Sequence, residues 1–596
     1  MNRLFKRRCV FLVLVAVSYA SVLAARADLS VSDAMDSVVT RLYGTMTPDQ
    51  LDKLDDAAVR KILTEDEKKA FATKFWEFDV NVPVVVSVMH EVTQAVTPFW
   101  LADSGFKKTE MRVRNEEMEF EVWQKAFNAG HIGLGVNGFD KHRPQYFVCV
   151  GPQQADAKVE LTHFSPAGQK TVEMRVGATT YHDWTELVLT KVPDELKGQV
   201  LLQTIRGRAR EAHLIGAFRR TPYPSSDKAD QVVLTWSDEP RTTQTIQWRT
   251  NTTVDAGIVR YREKNVTGAA WIEAAADKTK IEDRLLANDR YIHHFTATLT
   301  GLKPATAYEY TVGPAADVQR TAPSEFITAP EGPAPFTFVW MSDTHNAPES
   351  AKTLASILER DPKTAFLTIS GDLVGTGQYR DDWDKLIGQS SEFFRQRPLA
   401  PSMGNHDTID GLGAGMYLGL FGLPTNGAKK VEPERSYSFR YGNALFLVLD
   451  ATAVVEDQTA WLEEQLARTD ATWKFAIFHF PPYAPDDDYP DIRREWCALF
   501  DKYHVDFVLA GHVHYYERTY PLKDGKRVNA PADGTVYLIT VAVKGRPRRE
   551  RKPDYAEVVD FSGTPLYQVF TIDGNRLVTR SCDQEGKVRD ELVVQK

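Results

Sequence analysis

The pattern of apolar and polar residues changes along the chain and divides it into stretches of different predicted structure. Near the start, Thr47 and Thr64 each precede a Gln or Glu by three residues. This is the spacing of a helix capping box, and it predicts a segment of short helices over residues 28–77. Alternating and β-branched runs follow over residues 78–220 and again over about 229–331, which predicts two β-rich modules, the first of unknown role.

From Phe336 onward, short apolar runs alternate with amphipathic helical patterns, which is typical of an α/β layered domain. The strand-like runs are Phe336–Met341, Ala365–Ile369, Ala444–Leu449, Trp473–Phe478 and Phe507–Leu509. The helical patterns lie near Glu349–Arg360, Asp457–Arg468 and Pro490–His504. We therefore expect an α/β domain over residues 334–596, in a chain whose 596 residues require several domains.

The first 27 residues have the pattern of a signal peptide. Four basic residues precede an apolar run, Val10–Val17, and the sequence Ala25-Arg26-Ala27 fits a small-x-small cleavage site. A single-pass anchor is the alternative, but the run is shorter than the ~20 residues that a spanning helix needs. We expect an exported protein, periplasmic or extracellular, with no stable membrane span after cleavage.

Charge and cysteine content exclude two other classes of protein. Removing the first 27 residues takes away five basic residues and no acidic ones, which changes the net charge from −9 to −14. Such an acidic chain is not expected to coat nucleic acid. Cys149, Cys497 and Cys582 remain, an odd number that allows one disulfide at most, so this is not a disulfide scaffold.

Five polar clusters mark the α/β domain. They are Ser342-Asp343-Thr344-His345, Gly371-Asp372, Gly404-Asn405-His406-Asp407, His479 and Gly511-His512-Val513-His514. All but the Gly404 cluster come just after a strand-like run, where ligands gather because strand carboxyl ends open into a common crevice. Each motif alone fits ordinary loop residues, but the joint set indicates a site.

The mixture of carboxylate and imidazole groups points to metal binding. These ligands suit Fe, Mn, Zn or Co, whereas Ca²⁺ would call for oxygen ligands only and structural zinc for Cys. Two ions ~3.5–4 Å apart could neutralise a phosphate ester, stabilise its leaving oxygen and turn a water molecule into hydroxide. The clusters therefore favour a phosphoesterase with two divalent or trivalent metal ions, Fe, Mn or Zn.

The order of these motifs resembles the calcineurin-like metallophosphoesterase superfamily over about Phe336 to Leu522. Within it, the run from Gly511 to Pro521 is similar to purple acid phosphatases. The stretch Leu302–Val312, where Tyr308 has the setting of a tyrosine corner, resembles a fibronectin type III repeat, specifically the N-terminal domain of those enzymes. The resemblance implies a four-layer α/β sandwich, with β-sheets flanked by helices. In the chain it follows a fibronectin III-like β-sandwich.

Position by position, the resemblance also implies roles for the side chains. Asp343, His345 and His514 would bind the first metal, Asp372 would bridge both ions, and Asn405, His479 and His512 would bind the second. His406 would contact the phosphate and protonate the leaving group, oriented by Asp407, because imidazole changes protonation near neutral pH. The reaction would be in-line attack by a metal-bridging hydroxide.

One departure from the purple enzymes is visible. They carry Asp-x-Gly at the first motif and a ligand Tyr three residues after the bridging Asp, whereas this chain has His345 and Gly375. We therefore expect neither the purple charge-transfer colour nor a firm preference for ferric iron.

The sequence thus predicts an exported phosphomonoesterase acting on small-molecule phosphoesters. A phosphodiesterase acting on cyclic nucleotides or lipid head groups is the alternative within the same chemistry. A binding protein with an inactive site is the alternative from another class. Substrate, metal identity and oligomeric state are not predicted.

Overall fold

The computed structural model describes residues 29–141, 145–167, 169–181, 187–315, 321–408, 413–485, 487–547 and 552–596. The predicted signal peptide lies outside the described residues. Within them, no helix combines the length and the apolar character needed to cross a membrane. Cys149, Cys497 and Cys582 are buried and free.

The N-terminal part begins with helices and continues as sheets. The helices are α1 (Val31–Thr45), α2 (Pro48–Leu51), α3 (Asp56–Ile62), α4 (Glu65–Thr73) and α5 (Phe99–Asp103), with 3₁₀ turns at Asp194–Leu196 and Arg206–Arg210. The strands are β1 (Trp76–Val80), β2 (Val84–Glu91), β3 (Lys107–Asn115), β4 (Glu119–Phe127), β5 (Gly130–Leu134), β6 (Phe147–Pro152), β7 (Leu161–Ser165), β8 (Thr171–Glu173), β9 (Leu189–Lys191) and β10 (Val200–Leu202). The capping boxes at Thr47 and Thr64 are confirmed.

These N-terminal strands form two sheets and bury two hydrophobic clusters. The larger sheet has the order β8-β10-β6-β2-β4-β3-β9, and the smaller has the order β5-β1-β7. Helices α1 and α4 pack their apolar residues, such as Val38 and Phe71, against strand residues such as Trp76 and Val86. The predicted β-rich character of this region is confirmed, whereas its boundaries stay a prediction.

The second module consists of two facing sheets. Its strands are β11 (Asp230–Thr235), β12 (Gln244–Thr250), β13 (Gly257–Glu263), β14 (Ile272–Ala275), β15 (Asp277–Glu282), β16 (Tyr291–Leu299), β17 (Ala307–Pro314) and β18 (Ser324–Ile327). Their orders are β11-β12-β16-β15 and β14-β13-β17-β18, and Trp248 and Val259 meet in the core between them. The Tyr308 hydroxyl accepts a hydrogen bond from the Lys303 amide at 2.9 Å, as in a tyrosine corner. Assignment as a fibronectin III-like domain stays a prediction.

The third part is the predicted α/β domain. Its helices are α6 (Pro348–Arg360), α7 (Arg380–Gln389), α8 (Ser391–Phe394), α9 (Gly415–Leu420), α10 (Glu456–Arg468), α11 (Pro490–Ile492) and α12 (Ala498–Tyr503), with a π-helical turn at Arg493–Cys497 and a 3₁₀ turn at Pro531–Asp533. Its strands are β19 (Phe336–Met341), β20 (Thr364–Ser370), β21 (Leu399–Ser402), β22 (Tyr437–Tyr441), β23 (Ala444–Val448), β24 (Trp473–Ile477), β25 (Phe507–Ala510), β26 (Tyr516–Thr519), β27 (Leu522–Lys523), β28 (Lys526–Arg527), β29 (Val536–Ile539), β30 (Ala556–Asp560), β31 (Leu566–Asp573), β32 (Arg576–Asp583) and β33 (Val588–Gln595).

Two sheets pack face to face in this domain and align the strand ends that carry the polar clusters. Their orders are β21-β20-β19-β31-β32-β33 and β22-β23-β24-β25-β29-β26-β30. Phe338 of the first sheet contacts Phe446 and Phe475 of the second, with ring centroids 5.1 and 5.2 Å apart. Strands β19, β20 and β21 are mutually parallel, as are β23, β24, β25 and β29. Their carboxyl ends therefore form common edges.

The second module is anchored to the α/β domain by an aromatic contact and a buried ion pair. Trp236 lies 5.5 Å from the rings of both Phe366 and Phe439. Arg249 donates to Asp384 at 2.6 Å, and both side chains are 2% exposed. Breaking such a pair costs about 3–5 kcal/mol, so the two domains are held in one arrangement.

His294 on β16 makes the free energy of unfolding depend on pH. Burial, and then the nearby Arg249 charge, lower the pKa of His294 to about 4. In the unfolded chain the His294 ring takes up a proton near pH 6.5. The contribution of His294 to the free energy of unfolding is therefore present above that pH and is lost as the pH falls towards 4. We expect His294→Leu to reduce the loss of unfolding free energy between pH 7 and pH 4.5 by about 2 kcal/mol, measured by urea unfolding at both pH values. Equal losses in the variant and the parent protein would contradict this.

Candidate metal centre

The predicted site residues come from five loops that leave strand ends in both sheets of the α/β domain. Asp343 lies two residues after β19, Asp372 two after β20, His479 two after β24 and His512 two after β25. The Gly404 cluster also follows a strand, β21 (Leu399–Ser402), which the sequence pattern did not reveal. All five clusters therefore occupy equivalent positions, as ligands do in layered α/β folds.

Four side chains form a first candidate ligand group. Asp343, His345, Asp372 and His514 each present one ligand atom, all within 4.8 Å of one another. His514 Nε2 lies 3.2 Å from both His345 Nε2 and Asp343 Oδ1. His345 Nε2 is also 3.7 Å from Asp372 Oδ2. Ligands at about 2.0–2.2 Å around one ion have separations of this size, so the geometry fits a cation.

A second group shares Asp372 with the first. It consists of Asp372, His479 and His512, with ligand atoms again within 4.8 Å of one another. His479 Nε2 lies 3.2 Å from Asp372 Oδ2, while its Nδ1 lies 2.9 Å from the Ser370 carbonyl oxygen. The carbonyl fixes the ring and leaves Nε2 for a ligand role, as metal-binding histidines require.

Asn405, the remaining predicted ligand, lies in the loop that contacts Asp372. The neighbouring His406 amide donates to Asp372 Oδ1 at 2.9 Å, and a Cβ on Gly404 would lie only 2.2 Å from the same oxygen. Asn405 Oδ1 is buried and, within the described residues, has no hydrogen-bond partner. Because a buried unpaired amide oxygen is costly, its presence here fits coordination of a cation.

Backbone strain marks the same loops. The φ angles are +52° at Asp343, +43° at His345, +51° at Asp372, +74° at His512 and +56° at His514. Each non-glycine residue in this left-handed region costs of order 1–3 kcal/mol, and such residues cluster at functional sites. The fold thus holds these side chains in place at the expense of its own stability.

Electrostatics keep the two carboxylates of the ligand groups, Asp343 and Asp372, ionised. Burial opposes ionisation, but the neighbouring His514 and His479 outweigh it and lower the pKa of Asp343 to about 2. The pKa of Asp372 is also lowered against burial, chiefly by His479, and that of His479 is raised to about 9 by Asp372. The ionised carboxylates supply the negative charge that a cation needs, and binding of a metal ion would displace the proton of His479.

His406 lies beside these groups. Its ring centroid is 4.8 Å from that of His345, and its Nδ1 is 2.8 Å from the Gly375 carbonyl oxygen. The Asp407 carboxylate instead accepts hydrogen bonds from the Gly404 amide at 2.9 Å and the Val374 amide at 3.2 Å. Asp407 thus links the two loops and Gly375 contacts the ring, while the role of Asp407 in orienting His406 stays a prediction.

Sequence reasoning missed Asp487, which lies outside all five clusters. Its Oδ2 is 3.4 Å from His512 Nε2. A carboxylate on the outer nitrogen of a ligand histidine fixes its tautomer and makes it a better ligand, which assigns Nδ1 of His512 to the metal side. No spacing rule links Asp487 to His512, so only the folded structure could reveal it.

We expect Asp487→Asn to lower metal affinity at one site by about 10-fold while the other ion stays bound. The measurement is metal content after dialysis against graded chelator concentrations. Asp488→Asn is the matched control, since that carboxylate pairs with Arg493 and is 77% exposed. Equal metal retention in both variants would refute this role for Asp487.

Comparisons with known proteins agree with this geometry. Residues 336–516 match the family model of calcineurin-like phosphoesterases. This stretch of the chain is thus similar to domains of hydrolases that act on phosphoester bonds. Residues 229–328 match the purple acid phosphatase N-terminal domain. This domain pair confirms the predicted resemblance to purple acid phosphatases.

Relatives and a solved structure align with large parts of the chain. An uncharacterized protein of Mycobacterium tuberculosis is 26% identical over 359 residues, which cover 50% of this chain and 66% of that protein. A purple acid phosphatase of Glycine max is 27% identical over 328 residues, covering 50% of this chain and 67% of that one. A purple acid phosphatase structure from yellow lupin seeds aligns with a TM-score of 0.55 at 14% identity over 88% of this chain and 94% of the other, which shows a shared fold.

Proposed function

We propose that this protein hydrolyses phosphate monoesters with two metal ions. One observation carries the proposal: Asp372 belongs to both ligand groups. A carboxylate shared in this way suits a pair of ions about 3.5–4 Å apart. Asp343, His345 and His514 would complete one site, and Asn405, His479 and His512 the other. An Arabidopsis thaliana relative, 25% identical over 326 residues, is named an Fe(3+)-Zn(2+) purple acid phosphatase, which supports a mixed-metal centre.

The residues around the ions would divide the remaining work. A metal pair bound by these residues would supply positive charge for the phosphate and lower the pKa of water. His406 Nδ1 would donate its proton to the Gly375 carbonyl oxygen, so the ring would carry a second proton, at Nε2, in its imidazolium form, and would transfer that second proton to the leaving oxygen. Asp407 would keep the loops of Gly404 and Val374 together, so that Asn405 and His406 stay in place on either side of the reacting phosphate.

The purple colour of some relatives is not expected. Gly375 stands where a ligand tyrosine would be needed, and its carbonyl oxygen is occupied by His406. His345 lies within the first ligand group instead. We therefore propose a centre without tyrosinate, so metal-loaded protein should lack a visible charge-transfer band.

The test of the proposal is activity after metal is restored. Chelator-stripped protein would be reloaded with Fe, Mn, Zn or Co and assayed on p-nitrophenyl phosphate and bis(p-nitrophenyl) phosphate. Faster turnover of the monoester with two bound ions supports the proposal. Preference for the diester favours the phosphodiesterase alternative, and two bound ions without turnover of either favour an inactive binding protein.

We also propose, from the N-terminal pattern alone, that residues 1–27 direct export. N-terminal sequencing of protein recovered outside the cytoplasm tests this, since the expected first residue is Asp28. An intact N-terminus would rule out cleavage at that site.

A further inference from the structure

The loop 375–379 sets the position of His406. His406 Nδ1 lies 2.8 Å from the Gly375 carbonyl oxygen, and the Gly377 amide donates to the His406 carbonyl oxygen at 2.8 Å. A Cβ on Gly377 would fall 1.8 Å from the Asp407 carbonyl oxygen, so only glycine permits this approach. The two backbones therefore move together, and any shift of the loop would displace the His406 ring.

Arg219 holds the opposite side of this loop. Its guanidinium carbon lies 3.6 Å from the centroid of the Tyr379 ring, and its Nε donates to Asp381 Oδ1 at 2.9 Å. Asp283 pairs with Arg219 and also accepts the Arg380 amide at 3.0 Å. The Arg219 side chain is 10% exposed, so these contacts are largely desolvated. A cation over an aromatic ring contributes more to stability when it is desolvated than at an exposed site.

Arg219 lies outside the α/β domain and is itself held by backbone hydrogen bonds. It lies in the connection between the N-terminal part and the second module. Its amide donates to the Leu285 carbonyl oxygen at 2.9 Å, and its carbonyl oxygen accepts the Ala287 amide at 2.8 Å. Inside the α/β domain, Trp383 donates to the Gly377 carbonyl oxygen at 2.7 Å. The loop 375–379 therefore lies between helix α7 and the connection that contains Arg219, and it contacts both.

We propose that Arg219 is a positioning residue for His406, acting through Tyr379 and the loop 375–379. The second module would then have a role in the reaction, because its residues Asp283, Leu285 and Ala287 hold Arg219 in the clamp, that is, in its contact with the Tyr379 ring. This inference rests on the proposed function. A displacement near 1 Å at a reacting group can cost about 100-fold, so loss of the clamp is expected to weaken proton transfer rather than substrate binding.

The first test compares leaving groups. A p-nitrophenolate ion leaves without protonation, whereas an alkoxide needs the proton that His406 supplies. In Arg219→Met, kcat on an alkyl phosphate should fall about 10- to 100-fold, while kcat on p-nitrophenyl phosphate should change less than about 3-fold, with KM unchanged for both. Adding Arg219→Met to His406→Ala should cause no further loss on the alkyl ester.

A matched pair of variants at Tyr379 separates the clamp from effects on folding. Tyr379→Leu removes the aromatic face but keeps every ion pair of Arg219, and should reproduce the loss on the alkyl ester. Tyr379→Phe keeps the face and should leave both rates unchanged. Equal losses on both substrates in Arg219→Met and Tyr379→Leu, or no loss in either, would overturn the proposal.

Hydrogen exchange measured by mass spectrometry provides a readout that does not depend on activity. The Gly377 amide is protected by His406, so peptides covering the loop 375–379 should exchange at least about 10-fold faster in Arg219→Met and Tyr379→Leu than in the parent protein. Peptides covering His479 and His512 should not change. Unaltered loop exchange refutes the clamp. If the parent protein hydrolyses no phosphoester, the proposed function fails, and exchange alone still decides whether Arg219 orders the loop.

Discussion

Asp372→Asn should lower turnover of p-nitrophenyl phosphate by about 1000-fold or more and reduce the bound metal to below one ion per chain. Asp372 is shared by both ligand groups, so its charge would serve two ions at once. Asparagine keeps the size of the side chain and an oxygen that can accept the His406 amide, so the loop should remain in place. A loss of this size corresponds to about 4 kcal/mol of transition-state stabilisation, within what a metal pair supplies.

Metal analysis and kinetics on the same samples decide this prediction. Asp470→Asn is the matched control, because that carboxylate is 86% exposed and pairs with Arg440 at the surface. It should retain two ions and full turnover. Two ions bound in Asp372→Asn, with turnover close to that of the control, would show that Asp372 does not join the two groups.

Much of the α/β domain could be predicted because each strand leaves a local signal. Strand β19 has the predicted bounds, Phe336–Met341, and helix α6 begins one residue before its predicted start. The predicted strands, such as β19, β23 and β25, are buried on both faces, so they appear as short continuous apolar runs. Asp343 and His512 were found because each follows such a run, and the structure places both in the ligand groups.

Strand β21 (Leu399–Ser402) was missed because it is short, ends in polar Ser402 and contains Pro401. Proline is confined to sheet edges, and this strand is indeed the edge of its sheet. The predicted helix from Pro490 to His504 is interrupted by a π-helical turn at Arg493–Cys497. The spacing of apolar residues did not indicate this turn. Local patterns therefore predicted the existence of elements better than their interruptions.

The partners of the site residues could not be predicted because they depend on contacts between distant parts of the chain. Arg219 precedes Tyr379 by 160 positions and lies in a linker with no periodic pattern. Asp487 belongs to a run of acidic residues that resembles an ordinary solvated loop. Sequence motifs identified the side chains that would bind a metal or phosphate. The residues that position those side chains could be identified only from the folded structure.

His406→Ala should distinguish proton transfer from metal binding. His406 lies outside both ligand groups, so the variant should keep two ions. Its ring is nevertheless 4.8 Å from that of His345, close enough to reach a phosphate held by the first ligand group. General-acid catalysis contributes about 100- to 10,000-fold, so kcat on an alkyl phosphate should fall by that range. With p-nitrophenyl phosphate the loss should be about 10-fold or less, because that leaving group departs without a proton.

The comparison needs a histidine that has ionic partners but no part in the site. His131→Ala serves, since that ring is 58% exposed and pairs with Asp79 and Glu77 in the N-terminal part. It should leave the rates on both esters unchanged. If His406→Ala slowed both esters equally while keeping two ions, His406 would act by binding the phosphate rather than by protonating the leaving oxygen. If it lost an ion, His406 would have to be counted among the ligands, and the proton donor would have to be sought elsewhere in the loop that Arg219 holds.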